Sequence, residues 1–322
     1  PGRQREILGV FRQLLPIFLA RGDLRSAGTI LSELDEMQRR GDVLGPHLAT
    51  DIDRLFEELS NPANLQQLVQ TIEGGAFDPD ASELSLFLAH LRPAALPILL
   101  HVAETTDRTD LRDLLHAAVD RLAGQHTGHV VELLGSNEAP LAAGAARLVG
   151  RLRLTEAAEH VARLLRRPEP SVRRAAVDAL LLLRTAMAME ALQGVLEDPD
   201  REVRLAAVRG LGSLRYQPAR ARLERLLMGR LVRDADLTEK IAFFEAYGSL
   251  GGGEAVAFLD GILNGRGLLG RKQPAEFRAC AALALGRVPT PAARAALQRA
   301  AADPDPVVRN AVGRAMRQEA TP

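Results

Sequence analysis

The sequence predicts an all-α protein, an α-solenoid in which antiparallel helix pairs follow one another in a superhelix. The first observation is an internal repeat: the sequence motif at residues 202–214 recurs at residues 238–250. Seven copies occur, and their marker positions lie 30 to 38 residues apart. The markers are Arg112, Ala142, Arg173, Arg204, Lys240, Arg278 and Arg309. Self-similarity at this period is typical of stacked repeat arrays.

The second observation is the spacing of apolar residues within each repeat motif. Around Arg204 they are Val203, Ala207, Leu211 and Leu214, at steps of four, four and three residues. These steps keep one stripe on one face of an α-helix. A second stripe follows in four of the repeats, at 161–165, 192–196, 223–227 and 259–263. Each repeat is therefore predicted to be a helix pair, and no segment shows the period-two alternation of a strand.

Residues at the predicted helix ends fit this pairing. A glycine ends the first helix in four repeats, where we expect a left-handed cap that favours glycine. These glycines are Gly150, Gly212, Gly248 and Gly286. Aspartates at 198–200, 234–236 and 303–305 precede first helices, where a carboxylate accepts hydrogen bonds from free amides. One residue departs from the pattern, because Glu239 stands in an otherwise apolar column.

Small residues form a column beside the apolar stripe. They are Gly144, Ala175, Ala206, Ala242, Cys280 and Ala311. Small side chains there would let neighbouring first helices approach closely. Cys280 is accordingly interpreted as a buried small residue.

Composition limits the class of protein. The chain has 322 residues, of which 47% are hydrophobic, with no Trp, 2 Tyr and 9 Phe, so the core must consist of Leu, Val and Ala. The single Cys excludes an intramolecular disulfide and fits a reducing, cytoplasmic location. No apolar run approaches the roughly 18 residues of a membrane span. The bias toward Arg, Ala and Leu indicates a bacterial source, and the start without Met suggests a piece of a longer protein.

Residues 199–212 read Pro-Asp-Arg-Glu-Val-Arg-Leu-Ala-Ala-Val-Arg-Gly-Leu-Gly. This phrase resembles the short bacterial HEAT repeats, the type also found in phycobilin lyases, and the resemblance extends over roughly 105–319. It implies a superhelix whose second helices line the concave side. It also implies a ladder between the Asp before each first helix and the basic marker within it, here Asp200 with Arg204, Asp236 with Lys240, and Asp305 with Arg309. We therefore predict a HEAT-like array over 105–322, preceded by degenerate helical pairs over 1–104.

The charge distribution points to a candidate binding surface. Residues 140–233 carry 18 basic and 10 acidic side chains, whereas residues 1–139 carry 12 and 21. Six arginines cluster on predicted second helices: Arg163, Arg166, Arg167, Arg220, Arg222 and Arg225. They could form a docking surface for an acidic or helical protein segment, since guanidinium suits carboxylates. Alternatively they are solvated charges, partly paired with Glu159, Glu169 and Glu224.

A long connection at residues 264–274 is a secondary candidate. It is basic and rich in glycine, and it contains Leu268 and Leu269, which a solvated loop does not need. Insertions in repeats often lie on a binding face. The alternative is that both leucines pack on the preceding helix.

The sequence lacks the common motifs of catalysis and metal binding. The chain has no Walker-type loop, no pair of Cys for zinc, and no His-Glu dipeptide like those that hold iron in HEAT-like deoxyhypusine hydroxylases. Four histidines in adjacent repeats could converge: His116, His126, His129 and His160. Loose spacing of this kind favours surface histidines over metal ligands. We expect no catalytic residue, cofactor or metal.

The sequence therefore favours a non-catalytic protein–protein interaction scaffold or adaptor, part of a larger bacterial protein. A bilin or tetrapyrrole lyase-like protein is one alternative, because that class shares these repeats. Weak nucleic-acid binding is another, although only Tyr216 in the basic segment could stack on a base. Neither a membrane nor a nucleic acid is the expected partner.

Overall fold

A computed structural model describes residues 2–40, 46–75, 77–265 and 272–319. These residues form 20 α-helices and four short 3-10 turns, and they contain no strand. The predicted all-α solenoid is confirmed. In the part of the chain described, no helix is both long and apolar enough to cross a membrane.

The chain divides into two compact units, residues 1–160 and 161–322. The first unit contains nine helices in the described ranges: α1 (Gly2–Arg21), α2 (Leu24–Arg39), α3 (Pro46–Leu59), α4 (Pro62–Glu73), α5 (Ala81–Ala89), α6 (Leu96–Thr105), α7 (Thr109–Gln125), α8 (Thr127–Leu134) and α9 (Ala139–Leu152). Helix α2 packs on α5, α5 on α7, and α6 on both α7 and α9. The predicted boundary near residue 104 stays a prediction.

The second unit starts within α10 (Ala158–Leu164). Its remaining helices are α11 (Pro170–Leu183), α12 (Ala186–Gly194), α13 (Arg201–Ser213), α14 (Arg220–Met228), α15 (Arg230–Asp234), α16 (Leu237–Leu250), α17 (Gly252–Leu263), α18 (Ala275–Leu285), α19 (Pro291–Arg299) and α20 (Pro306–Glu319). The first helices α11, α13, α16, α18 and α20 pack in that order, each on the next. Second helices such as α14 and α17 pack against these first helices.

Successive first helices run parallel. At their N-terminal ends, a guanidinium N–H of Arg174 in α11 donates to the carbonyl of Glu202 in α13, at 3.4 Å. At their C-terminal ends, a Cβ added to Gly210 of α13 would lie within 2.3 Å of the Leu181 side chain of α11. Like ends therefore meet, as stacked helix pairs require.

The predicted glycine caps are wrong, and the glycines have a different role. None of the four glycines that end first helices has a positive φ. Instead, a Cβ on Gly212 would lie 2.7 Å from Cα of Ala246, and one on Gly248 would lie 2.6 Å from the carbonyl oxygen of Ala284. Gly286 is similarly close to Ala315 of the next first helix. These positions require glycine because two backbones approach there.

The predicted aspartate N-caps are confirmed. Asp200 accepts a hydrogen bond from the N–H of Val203 at 3.0 Å, and Asp236 accepts one from the N–H of Glu239 at 3.0 Å. Asp305 caps α20 through the N–H of Val307 at 2.8 Å. Each carboxylate thus satisfies an amide that the helix itself leaves free.

Candidate functional site

The basic markers of the second unit join neighbouring repeats. The guanidinium of Arg173 makes two 2.8 Å hydrogen bonds to the carboxylate of Asp198, which precedes the next first helix. Its remaining nitrogen donates to the carbonyls of Arg167 and Pro168, at 2.9 and 2.8 Å. One buried side chain therefore fixes the turn before its own helix and the start of the next repeat.

The same connection recurs along the unit. Arg204 binds Glu239 at 2.5 and 2.9 Å, Lys240 binds Glu276 at 2.8 Å, and Arg278 binds Asp303 at 2.5 Å. Pairing with Arg204 explains why Glu239 stands in an apolar column. We call these four pairs the ladder.

The acids of the predicted ladder were assigned wrongly. The aspartates expected to pair with the markers Arg204, Lys240 and Arg309 are instead occupied as helix caps. Each ladder acid is contributed by the following repeat. Arg309 donates to the carbonyls of Asp303 and Pro304, at 2.6 and 2.8 Å. The marker column is structural, as predicted, but through different partners.

Asp303 is the ladder acid with the strongest electrostatic perturbation. Its side chain is 3% exposed. Burial raises the pKa of this carboxyl, but hydrogen bonds from Arg278, the N–H of Asp305 and Lys272 outweigh burial and hold the pKa well below its usual value. A carboxyl with a depressed pKa stabilises the fold above its unfolded pKa of about 3.9, and this contribution is lost as pH falls toward the folded pKa.

Asp303→Asn is therefore expected to lower the thermal unfolding midpoint at pH 7. The difference in unfolding midpoint between variant and parent should narrow as pH falls from about 5 to about 2. Only the parent has this carboxyl, so only the parent loses its contribution to stability. Circular dichroism at several pH values measures both midpoints. Asp234→Asn, at an exposed position, is the control. A difference in midpoint between the Asp303 variant and the parent that stays constant with pH would contradict a stabilising role for the ionised carboxyl.

The predicted arginines on α10 and the turn after it are only partly available. Arg163 and Arg166 are exposed. Arg167 is half-buried and pairs with Glu169 at 3.1 Å, which is one of the acids anticipated from the sequence. Arg163 also takes part in a further interaction. Arg166 is thus the cation of this group with no ion pair among the described residues.

The predicted arginines on α14 show the same division. Arg222 pairs with Glu197 at 2.9 Å, and Arg220 pairs with Glu254. Arg225 is exposed and has no ion pair within the ranges described. The interpretation as paired surface charge therefore describes Arg220 and Arg222. Since α12 separates α10 from α14 along the chain, the two groups belong to different repeats.

A polar cleft of about 490 Å³ lies beside these α14 arginines. It is lined by Gln217, Pro218, Arg220, Ala221, Glu224 and Glu254. The buried Tyr247 donates a 2.5 Å hydrogen bond to Glu224. Burial and then this carboxylate raise the pKa of Tyr247, so the phenol stays protonated. The cleft presents both signs of charge, which suits contact with a polar segment.

The remaining candidates from the sequence are two leucines of the long connection and four histidines. Leu268 and Leu269 lie outside the described residues. Of the four histidines, the structure brings together His126 and His129, whose ring centroids are 6.0 Å apart. They line a polar cleft of about 700 Å³ in the first unit. Among the residues described, no group of three or more His, Cys, Asp or Glu is arranged to hold a metal ion.

Cys280 is buried, as predicted. Its side chain is 1% exposed. Burial, with a smaller contribution from Glu276, raises the pKa of the thiol to about 12. The thiol is therefore protonated at neutral pH and packs as a small apolar group.

Sequence reasoning missed a second pair of arginines. Arg184 and Arg215, which follow α11 and α13, have positive φ values of 54° and 50°. The sequence did contain a signal for this conformation: Gly251 occupies the same repeat position after α16 and has φ 68°. Aligning the repeats by their markers would have shown arginine where another repeat has glycine.

Two family models match parts of the chain. Residues 158–238 match the model of HEAT repeats. Residues 291–312 match the model described as the HEAT repeat associated with sister chromatid cohesion. No curated protein matches the chain significantly.

Several solved structures are similar over most of their length. An engineered protein from the Northeast Structural Genomics Consortium has 16% identity and a TM-score of 0.40, with 98% of this chain and 96% of that chain covered. The Escherichia coli protein YibA has 15% identity and a TM-score of 0.39, with 81% and 95% covered. Human deoxyhypusine hydroxylase in complex with glycerol has 19% identity and a TM-score of 0.32, with 84% and 96% covered.

The family matches agree with the architecture of the second unit, where parallel first helices stack and the ladder joins one repeat to the next. Together these observations support HEAT-like repeats in the parts of the chain that the models match, residues 158–238 and 291–312.

Proposed function

We propose that this chain is a non-catalytic scaffold of the bacterial cytoplasm that holds an acidic segment of another protein. HEAT repeats are a scaffold commonly used for protein interaction. The proposed contact surface is the second-helix side of the second unit, where Arg166 and Arg225 are exposed. This surface also includes four arginines that make contacts within the chain: Arg163, Arg167, Arg220 and Arg222.

The observation that carries this proposal is the charge left at the surface after the ladder is paired. Residues 161–322 carry 26 basic and 18 acidic side chains, whereas residues 1–160 carry 15 and 23. The ladder pairs four basic residues with four acidic residues in the interior. Among the residues that the structure describes, the excess of positive charge therefore lies outside these buried pairs. An acidic partner would be attracted to this unit and held by charge-assisted hydrogen bonds.

The proposal predicts selective loss of partners on charge reversal. The full chain is immobilised and used to capture proteins from a bacterial lysate, with and without Arg166→Glu and Arg225→Glu. We expect proteins with acidic segments to be recovered by the parent and lost by the double variant. The physical reason is that each substitution replaces attraction to a carboxylate with repulsion.

Arg314→Glu with Arg209→Glu is the matched control, because both residues are exposed on first helices and the net charge changes equally. Capture that depends on net charge alone would fall equally in both double variants. That result, or equal capture by the Arg166/Arg225 variant and the parent, would contradict the proposed surface.

A further inference from the structure

Two arginines of the second unit adopt a backbone conformation that normally belongs to glycine. Arg184 caps α11 with φ 54° and ψ 22°. Arg215 follows α13 with φ 50°. Residues other than glycine are uncommon at positive φ, because the Cβ crowds the backbone. The second unit therefore carries arginine at two positions where arginine has a conformational cost.

The helix ends, and not the arginine side chains, impose this conformation. The N–H of Arg215 donates to the carbonyl of Gly212, and the N–H of Tyr216 donates to that of Leu211, both at 3.0 Å. This is the pattern of a Schellman cap. Arg184 makes the simpler cap, with its N–H 3.1 Å from the carbonyl of Leu180. Only backbone atoms take part, so glycine could replace either arginine.

Both guanidinium groups are free to contact a ligand. Arg184 and Arg215 are exposed, and neither side chain has a hydrogen bond or ion pair within the ranges that the structure describes. This distinguishes them from Arg220 nearby in the chain, which is paired with Glu254. Tyr216, half-buried, stands next to Arg215.

The two arginines also lie on the same edge of the unit. They follow α11 and α13, which pack on each other in parallel with their C-terminal ends together. Packed helix axes are about 8–10 Å apart. The two backbone positions are therefore separated by about 10 Å, and we call this pair the arginine edge.

We propose that the arginine edge binds two carboxylates of an extended acidic protein segment. In the polyproline II conformation, which has three residues per turn, residues three apart lie on the same side and are separated by about 9 Å, close to the spacing of the edge. Each guanidinium can hold a carboxylate through two parallel hydrogen bonds. The inference rests on the proposed acidic partner but assigns it a contact away from Arg166 and Arg225. Nucleic acid fits less well, because Tyr216 is the one aromatic side chain adjoining the edge in sequence.

The test uses the full chain and a fluorescein-labelled peptide of roughly ten glutamates, which spans about 33 Å when extended. Binding is followed by fluorescence anisotropy at about 50 mM NaCl, where screening is weak. Arg184→Gly with Arg215→Gly is expected to raise the Kd about tenfold or more, through loss of two charge-assisted contacts. Arg209→Gln with Arg314→Gln removes equal charge elsewhere and should change the Kd by about twofold or less.

Stability provides an independent readout in the same variants. Glycine adopts positive φ without a Cβ clash, so the unfolding midpoint of the glycine variant should equal or exceed that of the parent. Loss of binding with undiminished stability excludes unfolding as the cause. Arg184→Asn with Arg215→Asn, where asparagine also tolerates this conformation, should show the same loss of binding.

The outcomes separate the edge from the surface proposed above. An unchanged Kd for the glycine variant, or equal losses in it and in the Arg209/Arg314 control, would overturn the arginine edge. Arg166→Glu with Arg225→Glu is measured against the same peptide, and its result bears on the proposed function alone. Tighter, edge-dependent binding of an oligothymidylate of equal length would overturn the choice of an acidic protein segment.

Discussion

Asp198→Ala is expected to lower the free energy of unfolding of the second unit by about 3–5 kcal/mol, the range measured when one partner of a buried ion pair is removed. Arg173 and Asp198 have side chains that are 9% and 7% exposed. Without the carboxylate, the Arg173 guanidinium would remain buried with its charge uncompensated. The N–H of Asp200, which donates to Asp198 at 2.8 Å, would also lose its acceptor.

Urea unfolding followed by circular dichroism measures this loss. The control is Arg201→Ala, which removes an exposed pair with Asp236 whose side chains are 38% and 50% exposed. Exposed pairs contribute about 0–1 kcal/mol, so this variant should differ little from the parent. Equal destabilisation by Asp198→Ala and Arg201→Ala would contradict a structural role for the ladder.

Gly212→Ala is expected to destabilise the second unit by about 1–3 kcal/mol, the usual cost of overpacking a well-packed interior. The new Cβ would lie 2.7 Å from Cα and 2.8 Å from Cβ of Ala246. These atoms belong to the backbone and its first carbon, which cannot rotate away as a flexible side chain could. Helices α13 and α16 would have to separate.

Gly194→Ala is a matched control for this second prediction. Gly194 also lies in a helix, α12, but a Cβ there would have no atom within 4 Å. Alanine favours a helix over glycine by about 0.5–1 kcal/mol, so this control should be neutral or stabilising. The close approach of first helices would be refuted if thermal or urea unfolding showed the same response in both variants.

The helix pairs could be predicted because their signals are local. The steps of four, four and three residues around Arg204 and the caps at Asp200 and Asp236 depend on neighbours within a few residues. The repeat period predicted that first helices stack, because one repeat cannot bury its apolar face without the next. The structural role of the marker column also followed from the sequence.

The candidate site was less predictable, because availability of an arginine depends on distant acids. Arg222 and Arg225 lie on one helix, yet only Arg222 meets Glu197, which comes from the preceding repeat. Nothing in the sequence distinguishes the paired arginine from the exposed one. The predicted cluster of six therefore contains both paired and exposed cations, and Arg184 and Arg215 were not anticipated.

By itself the sequence determined the array of helix pairs, their apolar stripes and their N-terminal caps, because these depend on periodicity and near neighbours. Only the tertiary structure decided that Gly212 meets Ala246 and that Arg173 pairs with Asp198. The reason is physical: backbone approach and desolvated ion pairs depend on how repeats pack. Residues more than twenty positions apart set those contacts.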